Sequence, residues 1–141
     1  AYDISADAVA TARRNADCLG ADVHFFVADA LAPLPNADKR YDIIVSNPPY
    51  ICESERRAME KNVLDYEPGA ALFVPDSNPL LFYQAITDYA AAHLYNNGRL
   101  YFEVNPDYAD EVATYVISNG FTQAKVIEDS FGKKRFVEAL L

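Results

Sequence analysis

The stretch Tyr41-Asp42-Ile43-Ile44-Val45-Ser46-Asn47-Pro48-Pro49-Tyr50 decides the fold. Residues 41 to 46 form a β-rich run that is nearly continuous in apolar side chains, as a parallel strand covered on both faces would be. The run stops at an Asn followed by two prolines. Because proline has no backbone N–H, it cannot continue a hydrogen-bonded ladder, so the chain must leave the sheet there. Val23-His24-Phe25-Phe26-Val27 is a second run of the same kind, and both are expected to be central strands.

Helical patterns lie on either side. Ser5 reads as an N-cap, Val9, Ala12, Ala16 and Leu19 recur at helical spacing, and Gly20 stands where a left-handed C-cap is wanted, predicting a helix over 6–19. Asn78-Pro79 offers a cap and an N1 proline before Phe82, Ile86, Ala90 and Leu94, with Gly98 beyond the end. Arg99 to Val104 reads as a strand. Asn105-Pro106 then opens a helix whose buried stripe would be Ala109, Val112, Ala113, Val116 and Ile117, closed by Gly120. At the C-terminus, Ala124 to Glu128 and Arg135 to Leu141 are joined by a link short enough for an antiparallel hairpin. Strands alternating with helices and ending in a hairpin predict an α/β fold with a mixed, mainly parallel sheet.

Two features depart from this regularity. Tyr2-Asp3 reads as the last two residues of a strand, so the domain is expected to begin upstream of Ala1. The segment from Asn47 to Ser77 is far longer than the two to six residues usual between a strand and a helix. Within it, Glu53 to Leu64 is expected to be helical, with Glu53 and Glu55 at its start and Arg56, Arg57 and Lys61 later, a distribution that suits the helix dipole.

Composition narrows the function. The 141 residues are 51% hydrophobic and 23% charged, which suits one globular domain and excludes disorder. A chain this long can bury roughly 68% of its unfolded surface. No apolar run approaches the ~18 residues of a membrane span, and a cytoplasmic location is expected. The net charge of -9 disfavours a phosphate backbone as partner. Two cysteines and two histidines without Cys-x-x-Cys spacing predict neither a disulfide framework nor a metal site.

In open α/β sheets, ligands bind at the carboxyl ends of the strands. Asp3, Asp29 and Asn47-Pro48-Pro49-Tyr50 all occupy such positions. Across 48 and 49 the backbone can offer only carbonyl acceptors, and the fixed φ angles hold them rigidly beside the Asn47 amide. That arrangement suits a planar NH2 group: Asn47 Oδ1 accepts one N–H, the Pro48 carbonyl accepts the other, and the Tyr50 ring lies against the flat face of the amide or base. A tight strand-ending turn with a packed tyrosine is the plainer alternative. Asp3 could equally serve only as a cap, and Asp29 could simply end a strand. Glu103 also ends a strand at this edge and is read as structural.

The run 42–51, followed by Tyr66-Glu67-Pro68 with Ala71-Leu72-Phe73 and by Asp129, Gly132 and Arg135-Phe136, resembles the HemK-type protein-(glutamine-N5) methyltransferases that modify peptide chain release factors. The Asn-Pro-Pro-Tyr box is shared with N6-adenine DNA methyltransferases, whereas the Glu67-Pro68 segment and Gly132-x-x-Arg135 resemble the protein-modifying branch. The resemblance implies a Rossmann-like sheet dependent on S-adenosyl-L-methionine, with an antiparallel final hairpin. It implies that Asp3 accepts the ribose hydroxyls of the cofactor, that Asp29 and Ala30 lie beside its adenine, and that Asn47 touches both cofactor and substrate. Asn47, Pro48, Pro49 and Tyr50 would bind the substrate glutamine, with Asn47, Pro48 and Tyr50 carrying catalysis. It also implies a release factor as protein partner, through its Gly-Gly-Gln element, in translation termination.

Three things differ from the family pattern. No Gly-x-Gly-x-Gly loop occurs in residues 1–141, the family's first strand has no counterpart, and Asn105 stands where a glycine is expected. The chain is therefore expected to be the C-terminal part of a catalytic domain without its helical recruiting domain, and inactive alone. An N6-adenine DNA or RNA methyltransferase, a ribosomal-protein glutamine methyltransferase and a non-catalytic binding domain are the alternatives.

Overall fold

Ser5 starts the first helix in the way its position predicts. The computed structural model describes residues 1–35 and 38–141, in two units, Ala1–Lys39 and Arg40–Leu141. In the first unit, β1 (Tyr2–Asp3), α1 (Ala6–Leu19) and β2 (Phe26–Val27) follow one another. Ser5 Oγ accepts the Ala8 N–H at 3.2 Å, which satisfies one of the helix's orphan donors. Gly20 closes the helix at φ 65°, a conformation that costs glycine little. Val9 and Ala16 are buried under α1, while Leu19, at the end of the predicted stripe, is 82% exposed. The strand expected over Val23–Val27 contracts to two residues. It pairs in parallel with β1 as Tyr2↔Phe26 and Asp3↔Val27, a two-stranded sheet and not a central position.

The second unit runs β3 (Tyr41–Ser46), β4 (Ile51–Cys52), α2 (Lys61–Tyr66), β5 (Phe73–Val74), α3 (Leu81–His93), β6 (Leu94–Glu103), α4 (Ala109–Ser118), β7 (Gln123–Glu128) and β8 (Lys134–Leu140). Four strands form one sheet in the order β3-β6-β8-β7, with β3 parallel to β6 and the last two antiparallel, the mixed sheet and terminal hairpin that the sequence predicts. Helices α3 and α4 touch each other and pack on the sheet, α3 on β6 and α4 on β7 and β8. Beneath them the register stacks Leu100 beside Ala139 and Phe102 beside Val137, all fully buried. The Tyr83 ring meets Phe102 edge-on at 5.2 Å, a favoured aromatic geometry.

Several sequence expectations change here. β3 is the terminal strand of this sheet, not a central one, and on the face away from α3 its Ile43 and Val45 stay 56% and 73% exposed. A strand with apolar residues on both faces needs two layers of cover, and the described residues of this unit supply one. α3 starts at Leu81 without a side-chain cap; the Asn78 backbone carbonyl accepts the Leu81 N–H at 3.2 Å, and Asn78 Nδ2 donates to Gln84 Oε1 at 3.0 Å. Its buried face is Tyr83, Ile86, Thr87 and Ala90, so Tyr83 replaces the expected Phe82. Leu94 is buried but already belongs to β6, and Ile117 of the expected α4 stripe is 45% exposed. The single helix expected over Glu53–Leu64 is a 3-10 helix, Glu53–Ala58, then a break at extended Met59 and Glu60 before α2.

Asp129 shapes the β7–β8 turn. Its Oδ1 accepts the N–H groups of Phe131 at 2.8 Å and Lys133 at 3.0 Å, Arg135 Nε lies 3.4 Å from Oδ2, and Gly132 takes φ 76°. Phe131 at the tip is 89% exposed. The Lys133 N–H foremost, then the Phe131 N–H and the Arg135 guanidinium, hold the Asp129 carboxyl below the usual carboxylate range.

Leu100→Ala is expected to cost about 3 kcal/mol, the scale of a buried Leu truncation, while Leu19→Ala stays within about 0.5 kcal/mol; urea midpoints would measure both. Because Asp129's folded pKa is depressed, its contribution is present above the ordinary carboxylate range near 4 and is lost as pH falls through the lower folded value. The acid limb of a stability-against-pH curve should therefore flatten in Asp129→Asn. An unchanged limb would show that the turn carboxylate is not coupled to folding.

Candidate active site

The parallel pairing of β3 and β6 brings the ends of both strands to one edge of the sheet. Ser46 pairs with Phe102, so the chain leaves β3 at Asn47 beside Glu103 at the end of β6. β8 runs antiparallel with Phe136 opposite Glu103, which puts the Asp129–Lys133 turn at this edge too. Asn47 is exposed, Pro48 is buried, and Pro49 and Tyr50 are half-buried. Among the described residues neither the Asn47 side chain nor the Pro48 carbonyl has a hydrogen-bond partner. Both oxygens therefore keep their acceptor capacity for donors from elsewhere.

Tyr50 is held at both ends. Its hydroxyl donates to Glu103 Oε1 at 3.0 Å, and its carbonyl accepts from Asn105 Nδ2 at 3.2 Å. Burial, then the hydrogen bond and charge of Glu103, push the Tyr50 phenol above its ordinary pKa, so it is a neutral donor at physiological pH. The next residues start β4, which pairs in parallel with β5. Cys52 N–H donates to Glu55 Oε1 at 2.8 Å, and Asn105 Nδ2 donates to the same oxygen at 3.0 Å.

Glu103, read from sequence as structural, thus bonds directly to the box, and Asn105 holds its backbone. Sequence reasoning had the signal for both, since they end the strand at the ligand-binding edge, but not the partner. The backbone of Asn105, φ -63° and ψ 125°, is open to any residue, so glycine is not required there.

In the first unit, the parallel register places Asp3, the last residue of β1, and Asp29, two residues past β2, at the same edge of their small sheet. Both are exposed and Ala30 is half-buried. Asp3 Oδ1 accepts the Ser5 N–H at 2.7 Å, and Asp29 Oδ1 accepts that of Leu31 at 2.8 Å. Each carboxylate thus closes a local turn with the N–H two residues further on. A carboxylate offers about four acceptor sites, so each bond leaves capacity for a ligand hydroxyl or amine. No cluster of described His, Cys, Asp or Glu side chains could hold a metal ion, and no described helix is long and apolar enough to cross a membrane.

Residues 1–66, which contain Asp3, Asp29 and the Asn-Pro-Pro-Tyr box, match the family model described as methyltransferase small domain. The chain is 45% identical over 139 residues to the release factor glutamine methyltransferase of Bacteroides thetaiotaomicron, covering 99% of the chain and 50% of that protein. It is 40% identical over 138 residues to the protein of the same name from Flavobacterium psychrophilum, covering 98% of the chain and 48% of that protein. The chain thus spans about half the length of these relatives. Among solved structures, a methyltransferase from Pyrococcus furiosus superposes with TM-score 0.67 at 16% identity, over 99% of this chain and 60% of that one. An S-adenosylmethionine-dependent methyltransferase from Clostridium acetobutylicum gives 0.60 at 11% identity, over 99% and 73%. The fold is accordingly that seen in solved S-adenosylmethionine-dependent methyltransferases, and the sequence is similar to release factor glutamine methyltransferases over about half of their length.

Proposed function

We propose that the chain carries the acceptor site of a protein glutamine methyltransferase, which transfers a methyl group to the side-chain nitrogen (N5) of a glutamine in the Gly-Gly-Gln element of a peptide chain release factor. The observation that carries this reading is the pair of unpartnered acceptors, the Asn47 side chain and the Pro48 carbonyl, in a segment whose prolines supply no competing N–H. Two acceptors beside a ring held at both ends fit one flat NH2 group better than any charged or apolar substituent. Such an enzyme would act in the cytoplasm, where release factors work.

An amide nitrogen is a poor nucleophile because its lone pair is shared with the carbonyl, and its N–H is too weakly acidic for a side-chain base to remove beforehand. Asn47 Oδ1 and the Pro48 carbonyl each take one of its N–H groups. They orient the nitrogen and stabilise the positive charge that grows on it. The proton leaves the nitrogen only after transfer, which is why positioning, and no Ser/His/Asp or paired-carboxylate arrangement, suffices. When bound, S-adenosyl-L-methionine supplies an electrophilic methyl carbon whose bond to sulfur breaks with the electron pair staying on sulfur. The donor set suits that group. Within the first unit, Asp3 and Asp29 retain acceptor sites for ribose hydroxyls and for an adenine amine, and Ala30 offers apolar contact.

In the complete protein, Asn47→Ala is expected to lower kcat about 100-fold, the scale of losing one preorganised polar contact. The assay is transfer of labelled methyl to a release factor, beside a Gly-Gly-Ala variant of that factor, a ribosomal protein and DNA. Unchanged kcat at saturating cofactor, or transfer to DNA alone, would remove the proposal. Asp3→Ala should instead raise the cofactor KM about tenfold, the effect of losing a charge-assisted hydrogen bond, with kcat little altered.

A further inference from the structure

Asn105 is 4% exposed, yet every hydrogen-bonding group it owns is used. Its N–H donates to Tyr83 Oη at 3.3 Å, and its carbonyl accepts the Tyr108 N–H at 3.1 Å. The two Nδ2 protons go to the Tyr50 carbonyl and Glu55 Oε1, and Oδ1 accepts the Asp107 N–H at 3.1 Å. This satisfaction fixes which way the amide points. Turned over, it would set an oxygen against the Tyr50 carbonyl and a carboxylate, and an NH2 against the Asp107 donor. Two residues earlier, Glu103 takes the Tyr50 hydroxyl, while its carbonyl accepts the Tyr83 hydroxyl at 3.3 Å. Tyr83 is buried in the core beneath, so the assembly is anchored to the rigid part of the unit.

Two bonds at the opposite ends of one residue define a direction. The Tyr50 carbonyl lies one peptide past Pro49, and its hydroxyl lies at the far end of the ring. With both ends tied, and with φ fixed at 48 and 49, the chain between Asn47 and Tyr50 has few torsions left to turn. We propose that Asn105 and Glu103 are the positioning residues of the acceptor loop: by gripping the carbonyl and the hydroxyl of Tyr50 they aim the Asn47 and Pro48 oxygens. Neither touches the reacting atoms. The inference rests on the reading of Asn47 and Pro48 as acceptors, and it adds that their aim is set from the end of β6.

The test uses the complete protein, with 3-fluorotyrosine incorporated and the Tyr50 fluorine signal identified by its loss in Tyr50→Phe. Glu103→Ala is expected to shift that signal and to lower kcat by about ten- to a hundredfold, the range that small misplacement produces, with the cofactor KM within about twofold. Glu103→Gln, which keeps an acceptor for the hydroxyl, should recover most of the rate. Asn105→Asp, of equal size but with an oxygen facing the Tyr50 carbonyl, should lower kcat similarly at unchanged cofactor KM, and serves if Glu103→Ala does not fold. An unmoved Tyr50 signal in both variants, or a shifted signal with unchanged kcat, overturns the proposal, as does a rate loss that Glu103→Gln fails to recover. If the unaltered protein methylates no glutamine, the functional reading falls, and the anchoring of Tyr50 is then decided by the fluorine signal alone.

Discussion

Parallel pairing between β3 and β6 is the constraint on which the candidate site depends. Residues 47–50 and 103–105 are distant in the chain, and the bonds joining them, from Tyr50 to Glu103 and from Asn105 to Tyr50, span 53 and 55 residues. They meet because the register puts Ser46 opposite Phe102, so both strands run out at the same edge. A one-residue slip would exchange the faces of the strand. Ile44, paired with buried Leu100, would then leave the side under α3. The hydrophobic core therefore sets the geometry of the polar site at its edge, and the buried Tyr83 hydroxyl links the two.

In the proposed function that site works by holding acceptors still. Prolines at 48 and 49 remove donors and torsional freedom together, and the ordering of Tyr50 is achieved when the unit folds, not when substrate arrives. The ionisable groups around it serve as supports: Glu103 receives a phenol, Glu55 receives two N–H groups, and neither stands in a pair suited to acid–base exchange. Methyl transfer to an amide asks for this kind of site, in which orientation and fixed dipoles lower the barrier.

The open face of the sheet has a different character. Ile43 and Val45 on β3 and Phe136 on β8 are 56%, 73% and 42% exposed, and Glu138 draws Tyr101 and Arg99 together between them. Apolar residues at these positions show that the sequence of β3 is written for cover on both faces.

Much of this was legible in the sequence. Ser5, Gly20, the end of β3 at Asn47 and the terminal hairpin follow from capping chemistry, missing N–H groups and residue alternation, which act over a few neighbouring residues. The end of β3 at the Asn-Pro-Pro-Tyr box was legible as well, and the reading of its oxygens as an acceptor pair is the one proposed above. Long-range effects were hidden. Tyr83 displaced Phe82 from the core because Phe102 meets it edge-on, the helix expected over 53–64 broke in a segment where β4 pairs with β5, and Glu103 and Asn105 acquired their roles only through contact with Tyr50. Sequence by itself determined which groups could accept an amide's protons, because that is a property of proline and asparagine. Tertiary structure alone decided what holds those groups in place, because hydrogen bonds depend on distances and angles that local sequence does not set.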